Sequence, residues 1–184
     1  MKLSQAPVEI VAYDAAWPAR FSDERHALRR ILQPWLAGPI EHIGSTAVPG
    51  LAAKPVIDIM AGVETLEGSL DAIEAVVILG YCYFPYRAGI MHWFCKPSDA
   101  VRTHHLHLVP INSPQWVRPI AFRNYLRTHH DVAAEYEQLK RALALKFRWD
   151  REAYTEAKGT FIETVTMEAL TSGSASGRRG SAST

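Results

Sequence analysis

The chain has 184 residues, 48% of them hydrophobic and 21% charged, with a formal net charge of +1, values ordinary for one globular domain. Such a balance provides no global basic field, which argues against a nucleic-acid duplex as partner. Cys82 and Cys95 lack tight metal spacing, no secretory leader pattern opens the chain, and no apolar run reaches the roughly 18 residues of a spanning helix, so a cytoplasmic protein without a membrane span is expected.

In chain order, Val8 to Tyr13 alternates like an entry strand, and Asp14 precedes an amphipathic helix from Trp17 to about Leu36. A short run from Pro39 to Ile43 leads into a Gly-Ser loop, and Val56 to Met60 reads as a buried strand. Leu66 to Leu79 reads as a helix closed by Gly80. Tyr81 to Tyr86, Ile90 to Lys96 and Arg102 to Val109 form three strand-like runs separated by Gly89 and Pro97-Ser98-Asp99, as in an antiparallel meander. From Pro114 the pattern is helical, with segments Phe122 to His130, Val132 to Phe147 and Arg151 to Leu170. The remainder, 171–184, is rich in Ser, Gly, Ala and Arg and is expected to be disordered. One α+β domain over 1–170 follows, with a mixed or antiparallel sheet, flanking helices and a helical C-terminal part.

The stretch from Glu41 to Gly50 joins a phosphate-loop composition to a carboxylate on an apolar strand. Gly44-Ser45-Thr46 offers backbone amides and hydroxyls to an anion, or else is simply a polar turn. Asp58 interrupts the β-branched run Val56-Ile57-Asp58-Ile59-Met60, and a carboxylate there requires a partner, a donor or a metal. Magnesium suits it, since that ion takes one or two carboxylates together with substrate phosphates. No Asp-x-Asp pair is present, because Val56 and Met60 flank Asp58 on the same strand face. His105 and His107 share a strand face and are candidates to join Asp58 as ligands or to act as a base, whereas His104 points the other way. His92 suits packing or substrate stacking. In the helical half, Arg123, Arg127, Tyr136, Lys140, Tyr154 and Lys158 include two Tyr-x-x-x-Lys pairs at helical-turn spacing, either a phosphate clamp or a solvated face.

Together, Trp17-Pro18, the run His42 to Leu51, Lys54-Pro55-Val56-Ile57-Asp58-Ile59, His105-Leu106-His107, the run Phe122 to Arg127, Tyr136, Lys140, Tyr154 and Lys158 resemble the GrpB family over nearly the whole chain before about Leu170. That family is placed in the nucleotidyltransferase superfamily, of polymerase β-like fold, and also occurs fused to dephospho-CoA kinase. The resemblance implies that Gly44 and Ser45 match the superfamily's Gly-Ser signature and Asp58 one of its strand carboxylates. Its other acids are unmatched, with Glu41 and the His-rich strand as stand-ins. The expected activity is magnesium-dependent transfer of a nucleoside monophosphate from NTP to a small acceptor. In it, Gly44, Ser45 and Thr46 hold phosphates, Asp58 and His107 the metal, and His107 with His105 complete the site or deprotonate the acceptor. Arg123, Lys140, Tyr154 and Lys158 line the phosphates. The alternatives are a nucleotide- or CoA-type binding module without transfer, and a His-dependent metal phosphohydrolase.

Overall fold

The computed structural model describes residues 6–176. Helix α1 (Trp17–Leu32) starts where Asp14 accepts the Ala16 amide at 2.8 Å and Pro18 occupies the first turn, and Arg29 and Arg30 face its negative end. It stops four residues short of the expected Leu36, because Pro34 has no amide to donate to the carbonyl one turn back.

Strands β1 (Leu36–Ile43), β2 (Ile57–Val63), β3 (Cys82–Phe84), β4 (His92–Pro97) and β5 (Arg102–Pro110) form one sheet in the order β1-β2-β5-β4-β3. Every neighbour pair is antiparallel except β2 with β5. The mixed α+β architecture and the meander from β3 to β5 agree with the sequence pattern. Between β2 and β3, a 3-10 turn (Glu67–Ser69) precedes helix α2 (Ala72–Ile78) in place of the single helix expected over Leu66 to Leu79. Gly80 follows it with φ +85°, the left-handed closure that glycine adopts without penalty.

Helices α3 (Pro114–Thr128), α4 (His130–Lys146), α5 (Arg151–Ala157) and α6 (Gly159–Ser176) make the C-terminal half. Helix α3 begins eight residues before Phe122: Ser113 caps it by accepting the Trp116 amide at 3.2 Å, and Pro119 is carried within its second turn. Residues 171–176, expected in a disordered tail, belong to α6, and 177–184 lie outside the described residues.

The expected entry strand is a correction. Only the isolated bridge Val11 to Ala53 forms; Val8 instead donates its amide to Arg148 at 2.8 Å and packs with Ala144 and Tyr154. The alternation there reflects one side resting on helices α4 and α5, not a place in the sheet.

Strand alternation divides the core. Ile57, Ile59, Ala61, Leu106, Leu108 and Phe94 pack on one sheet face with Trp17, Leu28, Leu32 and Val76 from α1 and α2. On the opposite face Ile43, Met60 and Val109 meet Trp116 of α3. A third cluster joins Val48 and Leu51, after the Gly-Ser loop, to Phe122, Leu126, Tyr136 and Val165. The loop, the sheet face carrying Asp58 and the C-terminal helices therefore meet in one place.

Candidate active site

The parallel register sets Asp58 beside His105 and Met60 beside His107. A two-residue side-chain period then puts Asp58, His105 and His107 on the helix-covered face. His105 Nδ1 lies 2.8 Å from Asp58 Oδ1. Burial by itself would push the Asp58 carboxyl up, but the His105 hydrogen bond and the charges of His105, His107 and Lys54 outweigh it and hold the group below its ordinary value. An ionised carboxylate only accepts, so His105 donates through Nδ1; in the neutral ring Nε2 is then the nitrogen that accepts. That Nε2 is buried and has no partner among the described residues.

Gly44 has φ +71° and ψ −173°, and a Cβ there would stand 2.4 Å from Asp58 Oδ2. The close approach of loop and carboxylate exists because this residue has no side chain. A 3-10 turn (Ser45–Ala47) follows. Ser45 hydrogen-bonds the Tyr136 hydroxyl, which burial pushes well above its ordinary range. Thr46 is a correction to the phosphate-binding expectation: it is 2% exposed, and its hydroxyl donates to the Val56 carbonyl at 3.2 Å and accepts from His42 Nε2 at 3.0 Å. His42 stacks on Phe21 with ring centroids 4.6 Å apart, and burial drops its pKa to about 4, against the opposing pull of Asp58. Thr46 thus ties the loop to β2.

Two more expected phosphate partners are committed elsewhere. Arg123 is 7% exposed and donates to Glu41 at 2.6 Å and to the His42 carbonyl at 2.7 Å, which also removes Glu41 as a stand-in acid. Arg127 beside it forks onto the Ala47 carbonyl at 2.9 and 2.7 Å. Lys140 is 1% exposed, donates to the Ala52 carbonyl and sits 4.8 Å from the Tyr136 ring centre. Tyr154 is buried with Val8 and Ala144, and its ring carries the Lys158 ammonium at 4.2 Å. Sequence reasoning does not single out Lys54 as a charge partner, although it lies four residues before Asp58; in the fold its ammonium faces Asp58 electrostatically, as does that of Lys158. Burial lowers both to about 8, with Asp58 opposing the shift and, for Lys54, Arg151 reinforcing it.

His107 makes no hydrogen bond among the described residues, and burial drops its pKa to about 4 with Asp58 opposing and His105 adding. His104 faces α1, where the charges of Glu24 and Arg20 act on it, and His92 is buried against the Leu66 carbonyl at 3.1 Å. Both follow the strand alternation. Beside His105, the Trp93 ring tilts with its centroid 5.3 Å away.

For a divalent metal, the face supplies the Asp58 carboxylate, and Met60 stands where a second acid would be needed. Among the described residues no group of three or more His, Cys, Asp or Glu side chains is placed to hold an ion. This set fits one magnesium ion shared with substrate phosphates and does not fit a two-metal centre.

Lys140 offers a pH test that needs no ligand. Burial lowers it to about 7, with Lys158 adding and Glu137 opposing, from an ordinary 10.5. Between those values the unfolded chain binds more protons than the folded one, so this group makes stability rise with pH across the window and stay level below it. The urea midpoint of the wild type is expected to increase from pH 7 to about pH 9.5, and less so in Lys140→Met. Equal increases in both proteins would contradict the assignment.

The GrpB protein family model matches residues 7–168. The chain belongs to the GrpB family. It is 38% identical over 168 residues to a UPF0157 protein of Pseudomonas aeruginosa, covering 89% of this chain and 68% of that one. The crystal structure of conserved protein GrpB from Enterococcus faecalis superposes with a TM-score of 0.81 at 35% identity, over 89% of this chain and 98% of that chain. A dephospho-CoA kinase of Mycolicibacterium paratuberculosis is 26% identical over 185 residues, covering 85% of this chain and 44% of that protein. The chain thus spans less than half of that kinase. No helix among the described residues is long and apolar enough to cross a membrane.

Proposed function

We propose that this GrpB-family chain binds a nucleoside triphosphate against the sheet face around Asp58 and transfers its nucleoside monophosphate to a hydroxyl of a small acceptor. The observation that carries the reading is the Asp58–His105 pair, whose buried Nε2 has no partner among the described residues, with the ammonium groups of Lys54 and Lys158 acting electrostatically on the same carboxylate. In this mechanism Asp58 fixes the His105 tautomer, and His105 Nε2 takes the acceptor proton. The acceptor oxygen attacks the α-phosphorus, and pyrophosphate leaves with the electrons of the bond that breaks. Ser45 holds a phosphate oxygen, and Lys158 offsets charge that builds on the phosphates. A magnesium ion arriving with the triphosphate would take Asp58 as its protein ligand and supply Lewis acidity. His107, neutral at pH 7, shapes the wall beside His105 in this reading and is not the base.

The second reading is a binding module for a nucleotide or CoA-type ligand without transfer. Met60 in place of a second acid favours it, and so does the likeness to a protein described as a dephospho-CoA kinase.

Thermal-shift titration with each NTP, with and without magnesium, tests the proposal. Stabilisation by at least one NTP in the wild type, lost in Asp58→Ala, is expected, with pyrophosphate release separating the two readings. Equal stabilisation of wild type and variant would place the nucleotide elsewhere.

A further inference from the structure

The surroundings of Asp58 hold more positive charge than their own groups use. Around it, Arg123 is spent on Glu41 and the His42 carbonyl, Arg127 on the Ala47 carbonyl, and Lys140 on the Ala52 carbonyl. Arg151 donates to the Asp99 and Ala100 carbonyls at 3.0 and 3.4 Å. Lys54 and Lys158 remain: among the described residues neither ammonium has a hydrogen-bond acceptor, and Lys158 rests only on the face of Tyr154. Both act electrostatically on Asp58. Two ammonium groups against one carboxylate leave a surplus positive charge. An ammonium taken partly out of water without an acceptor is costly to the fold, and that cost is offset when a ligand brings anionic oxygens.

The position where a second metal would be anchored is closed. Met60 is 1% exposed and packed with Ile43, Val109 and Trp116, and Glu41, paired across the strands with Met60, is held by Arg123. The charge a second ion supplies to a transferring phosphate must then come from side chains.

We propose that Lys54 and Lys158 take the place of the second metal ion and grip the polyphosphate chain of the ligand beside Asp58, so that this site binds polyphosphate even without divalent metal. The inference rests on the nucleotide reading of this site and adds to it the chemical class of ligand and the residues that hold it.

Calorimetric titration of the full chain with inorganic tripolyphosphate in EDTA is the test, using Lys54→Gln, Lys158→Gln and, as a control on a different helix, the exposed Lys146→Gln. Saturable metal-free binding is expected, weakened about tenfold or more in each of the first two variants, as loss of a charge-assisted hydrogen bond implies. Lys146→Gln should bind as wild type. A second measurement needs no substitution: tripolyphosphate should protect Lys54 and Lys158 from acetylation in the wild-type protein, read by mass spectrometry. Their lowered pKa makes these amines reactive enough near pH 8 to report. Binding that appears only with magnesium, or an absence of protection at both lysines, would overturn the proposal. If tripolyphosphate binds as expected while no NTP binds more tightly, the lysine grip stands and the nucleotide reading falls. If an NTP binds only with magnesium and equally well in both variants, the nucleotide reading stands and the lysine grip falls.

Discussion

His105→Asn is expected to reduce nucleotidyl transfer about 10²- to 10⁴-fold in kcat, the range contributed by a positioned general base, with little change in nucleotide affinity. The Asn amide can still donate to Asp58 in place of His105 Nδ1, so the pair that lies 2.8 Å apart persists. What is lost is Nε2, the buried nitrogen without a partner among the described residues. Asp58→Asn should fail by a different route. An Asn carboxamide can donate as well as accept, so it no longer dictates which ring nitrogen of His105 is protonated, and a proton on Nε2 removes the acceptor. Histidine nitrogen NMR reads the tautomer in the unliganded protein: the wild type should show His105 protonated at Nδ1, and Asp58→Asn should shift it toward Nε2. Pyrophosphate release by His105→Asn at the wild-type rate would remove His105 from the chemistry, whatever the tautomer. His107→Asn should matter less, because that ring has no carboxylate to fix it.

Gly44→Ala is expected to cost stability and ligand binding together. The backbone at φ +71°, ψ −173° lies in a region that is essentially glycine-only, which costs an L-residue about 1–3 kcal/mol. The added Cβ would also stand 2.4 Å from Asp58 Oδ2, closer than packing permits, so the carboxylate must swing away and its bond to His105 is put at risk. Chemical denaturation of Gly44→Ala, Asp58→Ala and the double variant separates the two costs. Truncating Asp58 to alanine removes the 2.4 Å contact with Oδ2, though its Cβ stays 3.0 Å away, and leaves the backbone strain, so the two losses should not add. Strict additivity would show that loop and carboxylate do not press on each other. By contrast, Gly50, also at positive φ, has nothing within 4 Å of the point a Cβ would occupy, so Gly50→Ala should show the backbone cost alone.

Much of the site's order was legible along the chain. A two-residue repeat is a local property, so Asp58 in an apolar strand, and His105 with His107 on one face and His104 on the other, could be read before any fold was known. Gly80 after a periodic segment was readable for the same reason, since helix closure is decided within a few residues. Local pattern also misled. Val8 to Tyr13 alternates as a strand does, yet that segment packs against α4 and α5, and alternation reports one buried side without saying what covers it. The expectation of a helix to Leu36 overshoots α1 because apolar spacing continues past Pro34, whose missing amide stops the helix.

By itself, then, the sequence determined the family, the strand and helix order in outline, and the pairing of a Gly-Ser loop with Asp58 and a histidine strand. Only the tertiary structure decided which charged groups are free to meet a ligand. Arg123 and the His42 carbonyl are 81 residues apart, and Lys140 and the Ala52 carbonyl 88, so neither commitment leaves a mark on local spacing. Thr46 likewise turned inward only because Val56 and His42 converge on it when β1 and β2 pair. Lys54, inconspicuous along the chain, emerged as a site residue because other cations found acceptors and it did not. A hydrogen bond between distant segments depends on how the whole chain packs, whereas periodicity depends only on neighbours.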